Sequence, residues 1–200
     1  MSFPKELLDG YAAFRKGDYL SEKVRFETLA EHGQKPKTMV ICCCDSRAAP
    51  ETIFNAHPGD VFVVRNVANL VPSSDMSGES LHGVCSAMEF AVQALKVEHL
   101  VVMGHGKCGG ISAALNPEMV PLSENNFIGS WIEPLKPIAE PILDDDKLSA
   151  DERQLALERE SVRKSVENLR SYAFILELEK AGRLTPVSYT HLTLPTTSRV

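Results

Sequence analysis

The sequence predicts an α/β fold, a central and mostly parallel β-sheet flanked by helices, on three observations. Apolar runs of strand length occupy residues 38–43, 61–64 and 100–103, and each stops at a polar or cysteine-rich turn. Segments with helical spacing separate the runs, and that alternation gives parallel strands with right-handed crossovers. The first run, Thr-Met-Val-Ile-Cys-Cys, is continuous instead of alternating, which suits a strand buried on both faces.

Residues 4–14 place Leu7, Leu8, Tyr11, Ala12 and Phe14 at helical spacing, and 22–31 reads as a second helix closing at His32-Gly33. Gln34-Lys35-Pro36 leads into the first strand, Asp45-Ser46-Arg47 turns the chain, and Pro50 opens a short helix in its first turn. His57-Pro58-Gly59-Asp60 is a turn cluster before the second strand, which ends in Arg65-Asn66-Val67-Ala68-Asn69. After a loop over 72–78, Leu81, Val84, Met88, Ala91, Val92 and Leu95 mark an amphipathic helix that leads to the third strand and His105.

Gly109-Gly110 permits close backbone approach, and 111–115 begins a helix whose N-terminus faces the strand ends. Residues 116–126 form a loop. Pro134, Pro137 and Pro141 confine 127–143 to short or kinked helical pieces. The stretch 149–181 is the longest helical pattern, expected to break near Ser171. Its stripe of Leu155, Val162, Val166 and Leu169 is a packing surface, with a subunit interface as one place for it.

Two hundred residues with 44% apolar and 24% charged side chains fit one globular domain. A net charge of −6 without a Lys/Arg block argues against nucleic-acid binding. No apolar stretch approaches a membrane span, and the first sixteen residues carry charges where a signal peptide would be apolar. The five cysteines, three of them consecutive, do not form a disulfide framework, so a reducing cytoplasm is expected. On an extended strand Cys42 and Cys44 face one way and Cys43 the other. Cys42, Cys44 and Cys85 read as small buried thiols.

Cys42-Cys43-Cys44-Asp45-Ser46-Arg47 and His105-Gly106-Lys107-Cys108-Gly109-Gly110 both follow apolar runs. The carboxyl ends of parallel strands share one crevice, so Cys43, His105 and Cys108 can converge there on one metal. Thiolate and imidazole suit zinc, and three protein ligands leave a fourth position for water or a carboxylate. A site left open in this way is built for catalysis.

In order and spacing, Cys43-x-Asp45-Ser46-Arg47, Arg65-Asn66-x-Ala68-Asn69 and Gly104-His105-x-x-Cys108-Gly109-Gly110 closely resemble the motifs of the β-class carbonic anhydrases of bacterial type, over roughly residues 3–184. The resemblance implies one Zn²⁺ per chain, held by Cys43, His105 and Cys108. It implies reversible hydration of carbon dioxide to bicarbonate and a proton through zinc-bound hydroxide, with Asp45 ionised and oriented by Arg47. It places Gln34 against substrate from across a dimer interface, and Gly109 and Gly110 as backbone donors beside the metal. A homodimer or higher homo-oligomer, a small-molecule substrate, no nucleic acid and no membrane complete the expectation. Two thiolates cancel the formal charge of the metal, so its water should be less acidic than at an all-histidine site.

One subset of that family has a bicarbonate-bound inactive state with a tryptophan where Val40 stands here, so no such switch is expected and Arg65 reads as structural. His32, His57, His82, His99 and His191 read as surface or packing groups. The chain departs from the resemblance after Gly182-Arg183-Leu184, where the composition changes abruptly to Thr, Ser, Leu and Pro. Residues 1–184 are therefore expected to form the domain. Residues 185–200 are expected to be a foreign tail outside the fold, with the final edge strand missing and assembly weakened by an open sheet edge. The rival readings are hydrolysis of carbon disulfide or carbonyl sulfide on the same scaffold, and a zinc-binding module closed by Cys42, Cys44 or Asp45. A dinucleotide-binding redox protein is disfavoured because no Gly-x-Gly-x-x-Gly follows the first strand.

Overall fold

Helices α1 (Lys5–Lys16) and α2 (Asp18–His32) form an arm in which no residue is buried. Phe14, Tyr19 and Phe26 hold the two together through ring contacts of 5.6 to 5.9 Å. Polar bridges tie α2 to the turn at residues 57–60, with Arg25 on Asp60 at 3.1 Å and His57 on Glu22 at 2.8 Å. The computed structural model describes residues 3–76, 82–191 and 197–198. Leu81, the side chains of His82 and His191, and tail residues 192–196 and 199–200 lie outside the described residues.

Strand β1 (Thr38–Cys43) is an interior strand of the sheet, buried along nearly all its length as its unbroken apolar run requires. Helix α3 (Pro50–Ile53) begins with proline, whose fixed φ and missing N–H suit a first turn. Strand β2 (Val61–Asn66) follows, then α4 (His82–Glu89), which continues as a π-helical turn over Phe90–Leu95, and β3 (His99–His105). Helix α5 (Gly109–Ala114) starts directly after the third strand's loop. The proline-rich segment breaks into α6 (Phe127–Ile132), a 3-10 turn and α7 (Lys136–Leu143), as the prolines dictate. A capping box at Ser149 and Glu152 opens α8 (Ala150–Leu169), and a break near Ser171 separates it from α9 (Ala173–Lys180).

Strand β4 (Thr185–His191) then pairs parallel to β3 from His99↔Thr185 to His105↔His191, and β5 (Thr197–Ser198) adds a short antiparallel pair. The sheet order is β2-β1-β3-β4-β5. This corrects two expectations: the final strand is present, and Thr185–His191 lies inside the fold. The change in composition misled because Thr, Val and Tyr remain good strand formers.

Alternation along β1 divides the core. Met39 and Ile41 pack with Leu100, Val102 and residues of α4, α8 and α9, whereas Val40 and Cys42 pack with Met103, Ile111, Ile132 and Leu157. Of the predicted α8 stripe, Val162, Val166 and Leu169 are buried in this core within the chain, whereas Leu155 is half-buried and outside it. Gly104 allows that packing, since a Cβ there would fall 2.5 Å from Val162 Cγ2. Cys44 is exposed, contrary to its reading as a buried thiol, because β1 ends at Cys43 and strand alternation stops with it. Among the described residues no helix is long and apolar enough to cross a membrane.

Candidate metal centre

Cys43 is the last residue of β1, His105 the last of β3, and Cys108 caps the N-terminus of α5. In-register pairing of parallel β1 and β3 brings their carboxyl ends side by side. The three side chains are 5%, 1% and 1% exposed, and their ligand atoms lie within 4.8 Å of one another. The sulfurs stand 3.9 Å apart. Two sulfurs each about 2.3 Å from a tetrahedral zinc would stand about 3.8 Å apart. His105 Nδ1 donates to Gly106 O at 3.0 Å, which leaves Nε2 buried and without a partner. A metal is the chemical group that resolves such an orphaned nitrogen next to two thiols.

The electrostatics favour ligand chemistry. Cys43 is held down to about 4, first by its bond with Cys108 against the opposing effect of burial, then by His105 and by the N–H groups of Asp45 and Ala68. Cys108 is pushed up because it supplies the proton shared between the sulfurs and because it is buried. Burial is the largest influence on His105 and works against its protonation, but the adjacent Cys43 sulfur, Gly106 O and the Asp45 charge together outweigh it and raise it. Cys42 is pushed up to about 12 by burial. Its sulfur lies 3.9 Å from Val64 O, and neither it nor Cys44 belongs to the cluster.

Asp45 and Arg47 pair at the mouth of this site. Asp45 Oδ1 accepts from the backbone N–H of Arg47 at 2.9 Å and from its Nε at 3.0 Å, and Oδ2 accepts from Nη2 at 2.7 Å. These bonds hold the Asp45 carboxyl well below the usual carboxylate range. Arg47 Nη2 also donates to Lys107 O at 3.1 Å, linking the loops that carry Cys43 and Cys108. Arg65 is structural, as expected: its Nε donates to Cys43 O at 2.9 Å and its Nη2 to Asp45 O at 2.7 Å.

The turn after β2 forms the wall. Ala68 and Asn69 take left-handed φ values of 64° and 49°, which costs on the order of 1 kcal/mol for each non-glycine residue. The Asn66 side chain bonds both N–H and C=O of Leu70 and so fixes the turn. Gly110 touches it: a Cβ there would lie 2.7 Å from Val67 Cγ1, whereas a Cβ on Gly109 would meet nothing within 4 Å. A cavity of about 680 Å³ beyond this turn, lined by Trp131, Pro137 and Lys164 among others, includes none of the three ligand residues.

Gln34 is not brought to this site by its own chain. It is exposed before the start of β1, in a groove with Leu29, Gly59 and Phe90, and the strand's six residues, about 17 Å of extended backbone, separate it from Cys43. Sequence reasoning missed Glu158 and Gln154 of α8, which bond the N–H and the C=O of Cys108. Their signal was present. Glu158 stands three residues after Leu155 and four before Val162, so a carboxylate interrupts the apolar stripe.

The carbonic anhydrase family model matches residues 38–192. The chain is 36% identical over 183 residues to beta carbonic anhydrase 6, mitochondrial, of Arabidopsis thaliana, covering 91% of this chain and 62% of the relative. It therefore spans less than two thirds of that relative's length. Among solved structures, a tetrameric beta-carbonic anhydrase of Sordaria macrospora superposes with a TM-score of 0.85 at 27% identity, covering 98% of this chain and 95% of the other. The Coccomyxa beta-carbonic anhydrase in complex with acetazolamide gives 0.83 at 25% identity, with 100% and 87% covered.

Proposed function

The chain belongs to the β-carbonic anhydrase family, and from that premise we propose that it catalyses the zinc-dependent, reversible hydration of carbon dioxide to bicarbonate and a proton. The observation that carries the reading is the buried Cys43, His105 and Cys108 cluster with the Asp45–Arg47 pair at its mouth. Cys43, His105 and Cys108 would hold one Zn²⁺, which when bound supplies the Lewis acidity that makes water a nucleophile near neutral pH.

The remaining work falls to the chain's own side chains. Asp45, kept ionised by three hydrogen bonds from Arg47, can only accept, so it would accept a hydrogen bond from the nucleophile's O–H and orient it toward the substrate. Arg47 fixes this orientation through a bidentate fork that a lysine could not reproduce. Gly109 and Gly110, the first residues of α5, would serve as backbone donors beside the metal.

Gln34 acts in a partner copy's site, which makes a homodimer the smallest complete unit. The exposed apolar residues of the arm, Leu7, Leu8, Tyr11, Leu20 and Val24, support assembly, as does the tetrameric state named for the Sordaria macrospora relative. A cytoplasmic location accords with five unpaired cysteines.

The test is stopped-flow carbon dioxide hydration by the zinc-loaded protein and by Asp45→Asn at matched zinc content. Hydration should rise from neutral to mildly alkaline pH and fall at least about tenfold in the variant. One zinc per folded chain without hydration would refute the proposal and favour another small substrate, such as carbon disulfide.

A further inference from the structure

Glu158 is the one buried carboxylate among the described residues, 3% exposed, and the proposed reaction gives it no task although it touches the metal centre at Cys108. A buried carboxylate is costly unless compensated. Its compensation here is specific: Oε1 accepts the backbone N–H of Cys108 at 3.0 Å and the Gln154 amide at 2.6 Å. Gln154, one helical turn earlier, donates in addition to Cys108 O at 3.1 Å. No lysine, arginine or histidine among the described residues forms an ion pair with it. One turn of α8 thus clamps Cys108 on both sides, across 50 positions of sequence in the case of Glu158.

From this juxtaposition we infer that Glu158, seconded by Gln154, is a positioning residue for the metal ligand Cys108. The inference rests on the reading of Cys43, His105 and Cys108 as a metal site. Cys108 lies at the start of a six-residue helix, where its own N–H has no partner within α5. Glu158 takes that N–H, while Gln154 holds the carbonyl of the same residue. The backbone from which the sulfur projects is therefore held at both its N–H and its C=O. A neutral acceptor would satisfy one amide with a smaller desolvation cost. The carboxylate adds a stronger, charge-assisted bond and a negative charge that favours a dication in the adjoining site.

The experiment compares wild type, Glu158→Leu, Glu158→Gln, Gln154→Leu and, as a control, Glu160→Gln on the outer side of α8. Zinc affinity is measured by competition with a chromophoric chelator. Cobalt-substituted samples report sulfur-to-metal charge transfer, and far-UV circular dichroism with denaturant unfolding of the metal-stripped chains reports fold. Glu158→Leu should lose about 10- to 100-fold in zinc affinity, with weakened or shifted charge-transfer bands. Glu158→Gln, which keeps an acceptor, should recover part of both, and Glu160→Gln should match wild type. If Glu158→Leu does not fold, Gln154→Leu carries the test through the same two metal readouts.

Folded variants that bind zinc and cobalt as wild type does, even if their stripped forms are less stable, would overturn the inference and leave Glu158 a structural residue. A wild type that binds no metal would overturn the site itself, an outcome visible before any variant is compared.

Discussion

Adding one methyl group at Gly104 tests whether α8 fixes the position of His105. The Cβ of Gly104→Ala would lie 2.5 Å from Val162 Cγ2, about an ångström inside ordinary contact, with Asn69 side-chain atoms at 3.8 Å on another side. Gly104 has no left-handed φ, so sterics alone are at issue. Val162 is 0% exposed and cannot swing away into solvent. Overpacking of this kind costs about 1–3 kcal/mol, here taken as about 2.

Val162→Ala alone removes two methyl groups, about 1.6 kcal/mol of transfer energy with a small cavity term, or about 2 in total. In the double variant the new methyl occupies the space that Val162 gave up. The expected loss is about 2 kcal/mol, not the additive 4, a coupling of about 2. The assay is guanidinium unfolding at fixed protein and zinc concentrations, since both shift apparent stability. Zinc competition should follow the same pattern, because the residue displaced by the clash adjoins His105: affinity falls in Gly104→Ala and returns in the double variant. Additivity within about 0.5 kcal/mol would refute the reasoning, as would a Gly104→Ala protein as stable as wild type.

Two further outcomes follow from burial and pairing. With zinc-loaded protein at neutral pH, iodoacetamide labelling read by peptide mass spectrometry should mark exposed Cys44 first and leave Cys42 unlabelled. A thiol pushed up to about 12 stays protonated until strongly alkaline pH, with under about one part in 10⁴ as thiolate near pH 7.5, so equal labelling of the two would contradict this account. Ending the chain after Leu184 removes β4, lays open the edge of β3 and deletes the Tyr189–Phe54 ring contact at 5.5 Å. Aggregation on refolding is expected, and a soluble truncated chain with wild-type zinc affinity would show that the strand contributes nothing.

The parts of this molecule legible in the sequence are those set by local chemistry. The unbroken apolar run of β1, the prolines of 127–143 and the cysteine and histidine at strand ends each specify structure within a few residues. Cys44 was misread because one position decides whether strand alternation still applies, and β1 ends one residue before it. Glu158 and Gln154 escaped notice because their meaning depends on a partner on another element, which no periodicity encodes.

The tail carries this argument furthest. Its composition differs from the residues before it, yet β4 forms because β3 would otherwise present a bare edge, and strand pairing demands only backbone groups and tolerable side chains. Thr185, Val187, Tyr189 and Thr190 meet that demand, and Pro186 stands at the second position, where a missing N–H is tolerated near a strand's start. The fit is incomplete in side-chain terms: Thr190 is 0% exposed and its hydroxyl has no partner among the described residues, a loss of about 1–3 kcal/mol. Thr190 pairs with Gly104, one register position before His105. Foreign-looking residues therefore complete the sheet at the strand that delivers a ligand, and an unpartnered buried hydroxyl falls next to the metal centre, so zinc binding and the stability of β4 should rise and fall together.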